Sequence, residues 1–246
     1  AQLAMEEPVA FTDDDVRVEK IKALRSLRVY TPSQAAANFV RGQYGADGNQ
    51  PDYRHEDGVD PESGTETFVA AKLMFDNYRW SGVPFYVRTG KKLADKFTRI
   101  DVVFKKPLID IFANPNSGNE QALHSNVLTV FVEPKSGFAL QLNAKHVGQG
   151  YTTEPVDLKF LQSDSAKKES PEPYERLFHD ALEGNHTNFA SWAEIAYAWK
   201  FVDVIRNLWD IEKPQFPNYT PGSMGPAAAT ELLARDGRKW VYDLNK

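Results

Sequence analysis

The sequence contains no cysteine. Disulfide bonds, a thiolate nucleophile and a cysteine-ligated zinc are therefore excluded, and nothing hints at secretion. No apolar run approaches the roughly 20 residues that a membrane-spanning helix needs. There is no cationic excess. Lys and Arg number 29 against 34 Asp and Glu, a net charge of −5, so neither a nucleic-acid partner nor a membrane surface is expected. Residues 1–8 lack the basic start of a signal peptide. No G-x-G-x-x-G follows a strand pattern, and Gly222, Gly225 and Gly237 are too scattered to supply one. A doubly wound dinucleotide fold is therefore not expected. The five histidines never fall at the spacing of a metal-ligand pair on one helix, so no metal site is expected either. They read as structural or surface residues. The two Asn-x-Thr sequons, at Asn185 and Asn218, are taken as chance in a cysteine-free chain. A cytoplasmic protein is the expectation.

What is present fits a folded α+β chain. The 246 residues are 41% hydrophobic and 26% charged, near the globular average and enough for a sizeable core. Thr12 with Asp13, Asp14 and Asp15 makes a cap and an acidic first turn for a helix to about Arg28. Thr31-Pro32 interrupts helix beyond it. Strand patterns cover residues 37–44, 67–77, 84–89, 98–104, 126–132, 137–144 and 156–160. A polar, mobile loop is expected at 45–62 and a loop-rich interruption at 107–124. Helices follow at 172–182, 192–209 and 227–234, the second opened by a capping box from Ser191 to Glu194. Strands grouped before helices imply a large, mainly antiparallel sheet with helices packed on one face. Trp192, Tyr197, Trp199, Phe201 and Trp209 crowd one helix and are read as packing against that sheet rather than stacking on a cofactor.

The most informative stretch is residues 79–96, RWSGVPFYVRTGKKLADK. Alternation puts Phe85 and Val87 on one strand face and Tyr86 and Arg88 on the other. Gly90 ends the strand, on the expectation that it takes up a left-handed backbone. Lys91, Lys92 and Lys96 follow in one short segment. Ammonium groups beyond a rigid strand end can hold an anionic small molecule, although by charge pattern alone a solvated basic loop outweighs that reading.

The wording of this stretch resembles the C-terminal half of the glucose-6-phosphate dehydrogenases, where W-x-G-V-P-F-x-x-R-x-G-K carries a substrate lysine and a second base lies five positions on. Other motifs agree, in the family's order. Residues 40–44 carry its G-Q-Y, 64–68 its T-x-T-F, 174–180 its Y-E-R-L-x-x-D and 222–226 its G-S-x-G-P. Residues 198–205 resemble A-W-x-x-x-D-P-I, with Val204 in the proline's place. Glu133-Pro134 stands where the family often has Gln-Pro, so that glutamine's substrate contact is not carried over.

The resemblance implies an enzyme that oxidises glucose 6-phosphate to 6-phosphoglucono-1,5-lactone with NADP, in the oxidative pentose phosphate pathway. Lys91 and Lys96 would be its substrate-binding residues here, and Lys92 would not. The coenzyme (Rossmann) domain and the catalytic histidine would precede Ala1. Residues 1–246 would then be an excised C-terminal substrate-binding and dimerisation domain, inactive by itself, with no catalytic residue and no bound NADP expected in this chain. A homodimer through the sheet is also implied, with Val103 and Tyr86 on an open apolar face. The alternative is a stand-alone, non-catalytic sugar-phosphate-binding or dimerisation module.

Overall fold

The computed structural model describes residues 1–110, 123–148, 152–163, 165 and 171–243. Residues 111–122 of the expected 107–124 loop lie outside them. Two compact units emerge: Ala1–Ala94 with Glu172–Lys246, and Asp95–Pro171.

The first unit is built around a three-stranded antiparallel sheet of β1 (Phe39–Gly42), β2 (Phe68–Leu73) and β3 (Phe85–Gly90), with β2 central. Its helices are α1 (Asp13–Ser26), α2 (Pro32–Asn38), α3 (Pro173–Glu183), α4 (Trp192–Ile211) and α5 (Ala227–Ala234). Thr12 caps α1 as its sequence implies. Thr31-Pro32, by contrast, does not interrupt helix but starts one. Thr31 is the N-cap, Pro32 the first helical residue, and Gln34 closes a capping box. Proline at that position loses no bond, because its missing N–H has no intrahelical partner anyway.

Antiparallel pairing and the α+β class are as the sequence implies, but the layering is richer. The sheet is divided in two, and the three-stranded part is covered on both faces. On one, Phe68 and Ala70 pack with Tyr44, Tyr219, Leu232 and Leu233. On the other, Phe39 and Ala71 pack with Tyr30, Ala35, Ile205 and Trp209. The run Phe-Val-Ala-Ala in β2 is the mark of a strand buried on both sides. Tyr86 accordingly lies on no open face. It packs edge-on against Trp240, and its hydroxyl bonds the carboxylate of Asp236, which also holds Lys72 at 2.6 Å.

Helix α4 buries one stripe only. Ile205 and Trp209 are in the core and Phe201 is packed against it, whereas Trp192 and Trp199 are 82% and 58% exposed on the other side. Those two tryptophans therefore do not pack on the sheet. At the start of α4, Glu194 forms the capping box with Ser191 and a buried ion pair with Lys20 of α1 at 2.8 Å. Burial alone would raise its carboxyl, but the bonds to Lys20 and Ser191 hold it below the usual range.

The second unit is a four-stranded antiparallel meander of β4 (Thr98–Val103), β5 (Val127–Glu133), β6 (Gly137–Lys145) and β7 (Thr153–Leu161). Pro155 sits in β7, an edge strand, where a missing N–H is tolerated. The register aligns Ile100 with Val130, Phe138 and Phe160, and Val102 with Leu128, Leu140 and Leu158. One face is thus apolar in every strand, and Phe138, Leu158 and Phe160 are 49%, 59% and 58% exposed on it. Val103 belongs to the opposite face, with Asp101, Thr129 and Gln141. Among the described residues no helix is long and apolar enough to cross a membrane.

Candidate functional site

The segment after β3 is held by its main chain. The Lys91 N–H donates to the Thr67 carbonyl at 2.8 Å. Its own carbonyl accepts the Tyr219 hydroxyl, also at 2.8 Å. The Lys92 carbonyl accepts the Gly222 N–H, and the Ala94 N–H donates to the Ser223 carbonyl, both at 2.9 Å. Leu93 packs into the core beneath. Four consecutive residues are thus fastened, chiefly to the chain between Tyr219 and Ser223.

The left-handed residue of this turn is Lys92, at φ 52°, and not Gly90. Glycine is needed at 90 for space: a Cβ there would come within 2.7 Å of the Phe68 ring. Gly225 combines both demands, with φ 102° and the same ring against it. A left-handed lysine costs about 1–2 kcal/mol, and its side chain is spent on local bonds. The Lys92 ammonium donates to Gln50 Oε1 at 2.7 Å, lies 3.5 Å from Glu56 and stands over the Tyr44 ring. Lys91 is exposed and has no polar side-chain partner among the described residues. Lys96, in the second unit and two residues before β4, is likewise exposed and without one.

Three of the motifs singled out in the sequence, at 40–44, 64–68 and 222–226, converge on this bracket. Gly42 lets Tyr219, Asn218 and Phe68 approach to about 3 Å from where a Cβ would stand. Gln43, fully buried, gives its amide to the carbonyls of Ser63 and Thr65. That ties down the end of the 45–65 segment, as do Arg54 on Ser63 and Tyr53 against Tyr44. These contacts fold residues 53–65 back on the core, whereas residues 46–49 of the expected loop are exposed. Burial, and next the bond to Glu56, push the Tyr44 hydroxyl up to about 12. Burial also raises Tyr219, against the hydrogen bond from Thr67, so its phenol stays a donor. Thr67 falls in the T-x-T-F motif of residues 64–68, whereas Tyr219 lies in none of the sequence motifs. The only signal was a tyrosine between the turn-forming Asn218 and Pro221.

Three of the five histidines face carboxylates. His55 pairs with Asp52 at 2.7 Å and His146 with Glu154 at 2.8 Å, both exposed, and His179 faces Glu183 one helical turn away. Among the described residues no group of three His, Asp or Glu side chains could hold a metal ion. The strands pair antiparallel, and among the described residues no parallel β-α-β unit offers a dinucleotide its helix N-terminus.

Known proteins match this architecture along almost its whole length. The family pattern described as glucose-6-phosphate dehydrogenase, C-terminal domain, covers residues 1–241. The glucose-6-phosphate 1-dehydrogenase of Bacillus subtilis is 46% identical over 244 residues, 98% of this chain and 49% of that protein. That of Leuconostoc mesenteroides is 44% identical over 243 residues, with the same coverage. Among solved structures, a glucose-6-phosphate dehydrogenase in complex with its substrate glucose 6-phosphate superposes with a TM-score of 0.82 at 29% identity. It matches 98% of this chain and 48% of its own. The glucose-6-phosphate 1-dehydrogenase of Mycobacterium avium gives 0.77 at 30% identity, over 97% of this chain and 46% of its own. The chain thus spans about half the length of the relatives it matches. With sequence motifs, two-sheet architecture and whole-chain similarity in agreement, the chain belongs to the glucose-6-phosphate dehydrogenase C-terminal domain family.

Proposed function

We propose that this chain is the substrate-binding and dimer-forming part of an NADP-dependent glucose-6-phosphate dehydrogenase. That enzyme, cytoplasmic and placed in the oxidative pentose phosphate pathway, oxidises glucose 6-phosphate to 6-phosphoglucono-1,5-lactone. The observation that carries the reading is the division of labour among the lysines. Lys92 is spent on Gln50 and Glu56, while Lys91 beside it is exposed on a fastened backbone with no polar side-chain partner among the described residues. An ammonium so placed is ready for an anionic or polyhydroxylic ligand without rearrangement. Lys96 offers a second such group. Their part is to bind and orient the sugar phosphate. The general base and the coenzyme belong to residues outside this chain. Purified chain with glucose 6-phosphate and NADP is therefore expected to give no rise in nicotinamide absorbance above a blank, while an enzyme of the relatives' full length containing it turns over. A rate proportional to the concentration of the isolated chain would overturn this assignment.

The apolar face of the four-stranded sheet supports the dimer. It carries Phe138, Leu158 and Phe160 exposed, and a contiguous apolar patch of that kind marks an interface. A two-fold pairing of identical faces would bury it. Light scattering at micromolar concentration is expected to report about twice the 27.8 kDa of the chain. A monomer at that concentration would remove the sheet pairing from this account.

A further inference from the structure

We propose that Tyr219, backed by Thr67, is a positioning residue for substrate binding: it fixes the backbone from which Lys91 reaches the sugar phosphate. The inference rests on the reading of Lys91 as a substrate lysine. A phenol has one proton to give, and the shorter of its two carbonyl contacts is to Lys91, 2.8 Å against 3.2 Å to Thr67. Its oxygen is then free to accept the Thr67 hydroxyl at 2.9 Å. The Thr67 oxygen in turn accepts the Tyr44 N–H at 3.1 Å. The result is a directed chain: Tyr44 N–H to Thr67 Oγ1, Thr67 O–H to Tyr219, Tyr219 O–H to the Lys91 carbonyl. Each link polarises the next, and the first two are buried, the last part-buried, so the bonds are firmer than in water. The Thr67 carbonyl meanwhile holds the Lys91 N–H. One strand-start residue and one tyrosine thus fix both polar groups of the Lys91 backbone, and they leave its side chain alone.

A purely structural role is the competing explanation, since the Tyr219 ring also packs on Phe68 and Tyr44. Tyr219→Phe separates the two, because it keeps the ring and removes only the hydroxyl. The test uses an enzyme of full length containing this chain. Tyr219→Phe is expected to raise the Michaelis constant for glucose 6-phosphate about three- to tenfold, the worth of one hydrogen bond. The constant for NADP is expected to stay put. In a Lys91→Ala background the same change should add nothing, because no ammonium remains to be positioned. Thr67→Val is expected to reproduce the effect and Thr67→Ser to restore it, which also covers the case of a Tyr219→Phe protein that folds poorly. An unchanged sugar-phosphate constant in Tyr219→Phe and Thr67→Val would overturn the proposal. So would an equal loss in the Lys91→Ala background. If Lys91→Ala itself has no effect, the fault lies in the substrate reading, and the positioning proposal falls with it.

Discussion

Replacing Lys91 or Lys96 by alanine is expected to cost about 1.5–3 kcal/mol of transition-state stabilisation, the worth of a hydrogen bond to a charged group. In an enzyme of full length that is roughly one to two orders of magnitude in kcat/KM for glucose 6-phosphate. Lys92→Ala is expected to cost much less, because its ammonium is bonded to Gln50 and lies beside Glu56. What Lys92→Ala loses is local: the Gln50 bond and the contact with the Tyr44 ring. The coenzyme's Michaelis constant is expected to hold in all three variants, since the proposed role of these lysines is to hold the sugar phosphate. Steady-state kinetics with each substrate varied in turn reads all of this. Equal, small effects at the three lysines would reduce the segment to a solvated basic loop.

The second large effect is on stability. Phe68 is 1% exposed, and its ring lies against Tyr219 and in the space left by Gly90 and Gly225. Phe68→Ala is expected to destabilise the first unit by about 3–5 kcal/mol, the transfer of the ring plus the cavity it leaves. All five tryptophans, Trp80, Trp192, Trp199, Trp209 and Trp240, lie in that unit and none in the other. Tryptophan fluorescence during urea unfolding therefore follows the first unit by itself. Gly225→Ala gives a useful control. Alone it suffers both a left-handed backbone and collision with the ring. Combined with Phe68→Ala the collision with the ring is gone, so the double variant is expected to lose less than the sum of the two. A loss below about 1 kcal/mol for Phe68→Ala, against the usual large-to-small range, would mean that this ring is not the keystone of the bracket.

The elements with a clean period were legible. Alternation in β4 and β6 and the cap and acidic first turn of α1 led to the right strands and helix, and Ser191 with Glu194 located the start of α4. Less visible was whatever depended on partners distant in sequence. Thr31-Pro32 carries the same letters whether it stops a helix or starts one, and the deciding Gln34 lay three residues on. Gly90 looked like a turn glycine because nothing local reveals the ring of Phe68 across the sheet. Burial of β2 on both faces follows from segments nearly 200 residues apart, α2 on one side and α5 on the other. For the candidate site, Lys91 and Lys96 rest on resemblance and Thr67 lies in the T-x-T-F motif, whereas Tyr219, 152 residues from Thr67, had no pattern to betray it.

Lys91 and Lys96 are proposed to hold the sugar phosphate. The most direct measurement is the crystal structure of an enzyme of full length containing this chain, with glucose 6-phosphate bound. Substrate oxygens are expected within about 3 Å of both ammonium groups, the ordinary length of a charge-assisted bond. Lys92 should remain on Gln50 in that structure, and Tyr219 on the Lys91 carbonyl. Substrate bound with both lysines left in solvent, or with Lys92 released from Gln50 to hold it, would contradict the account.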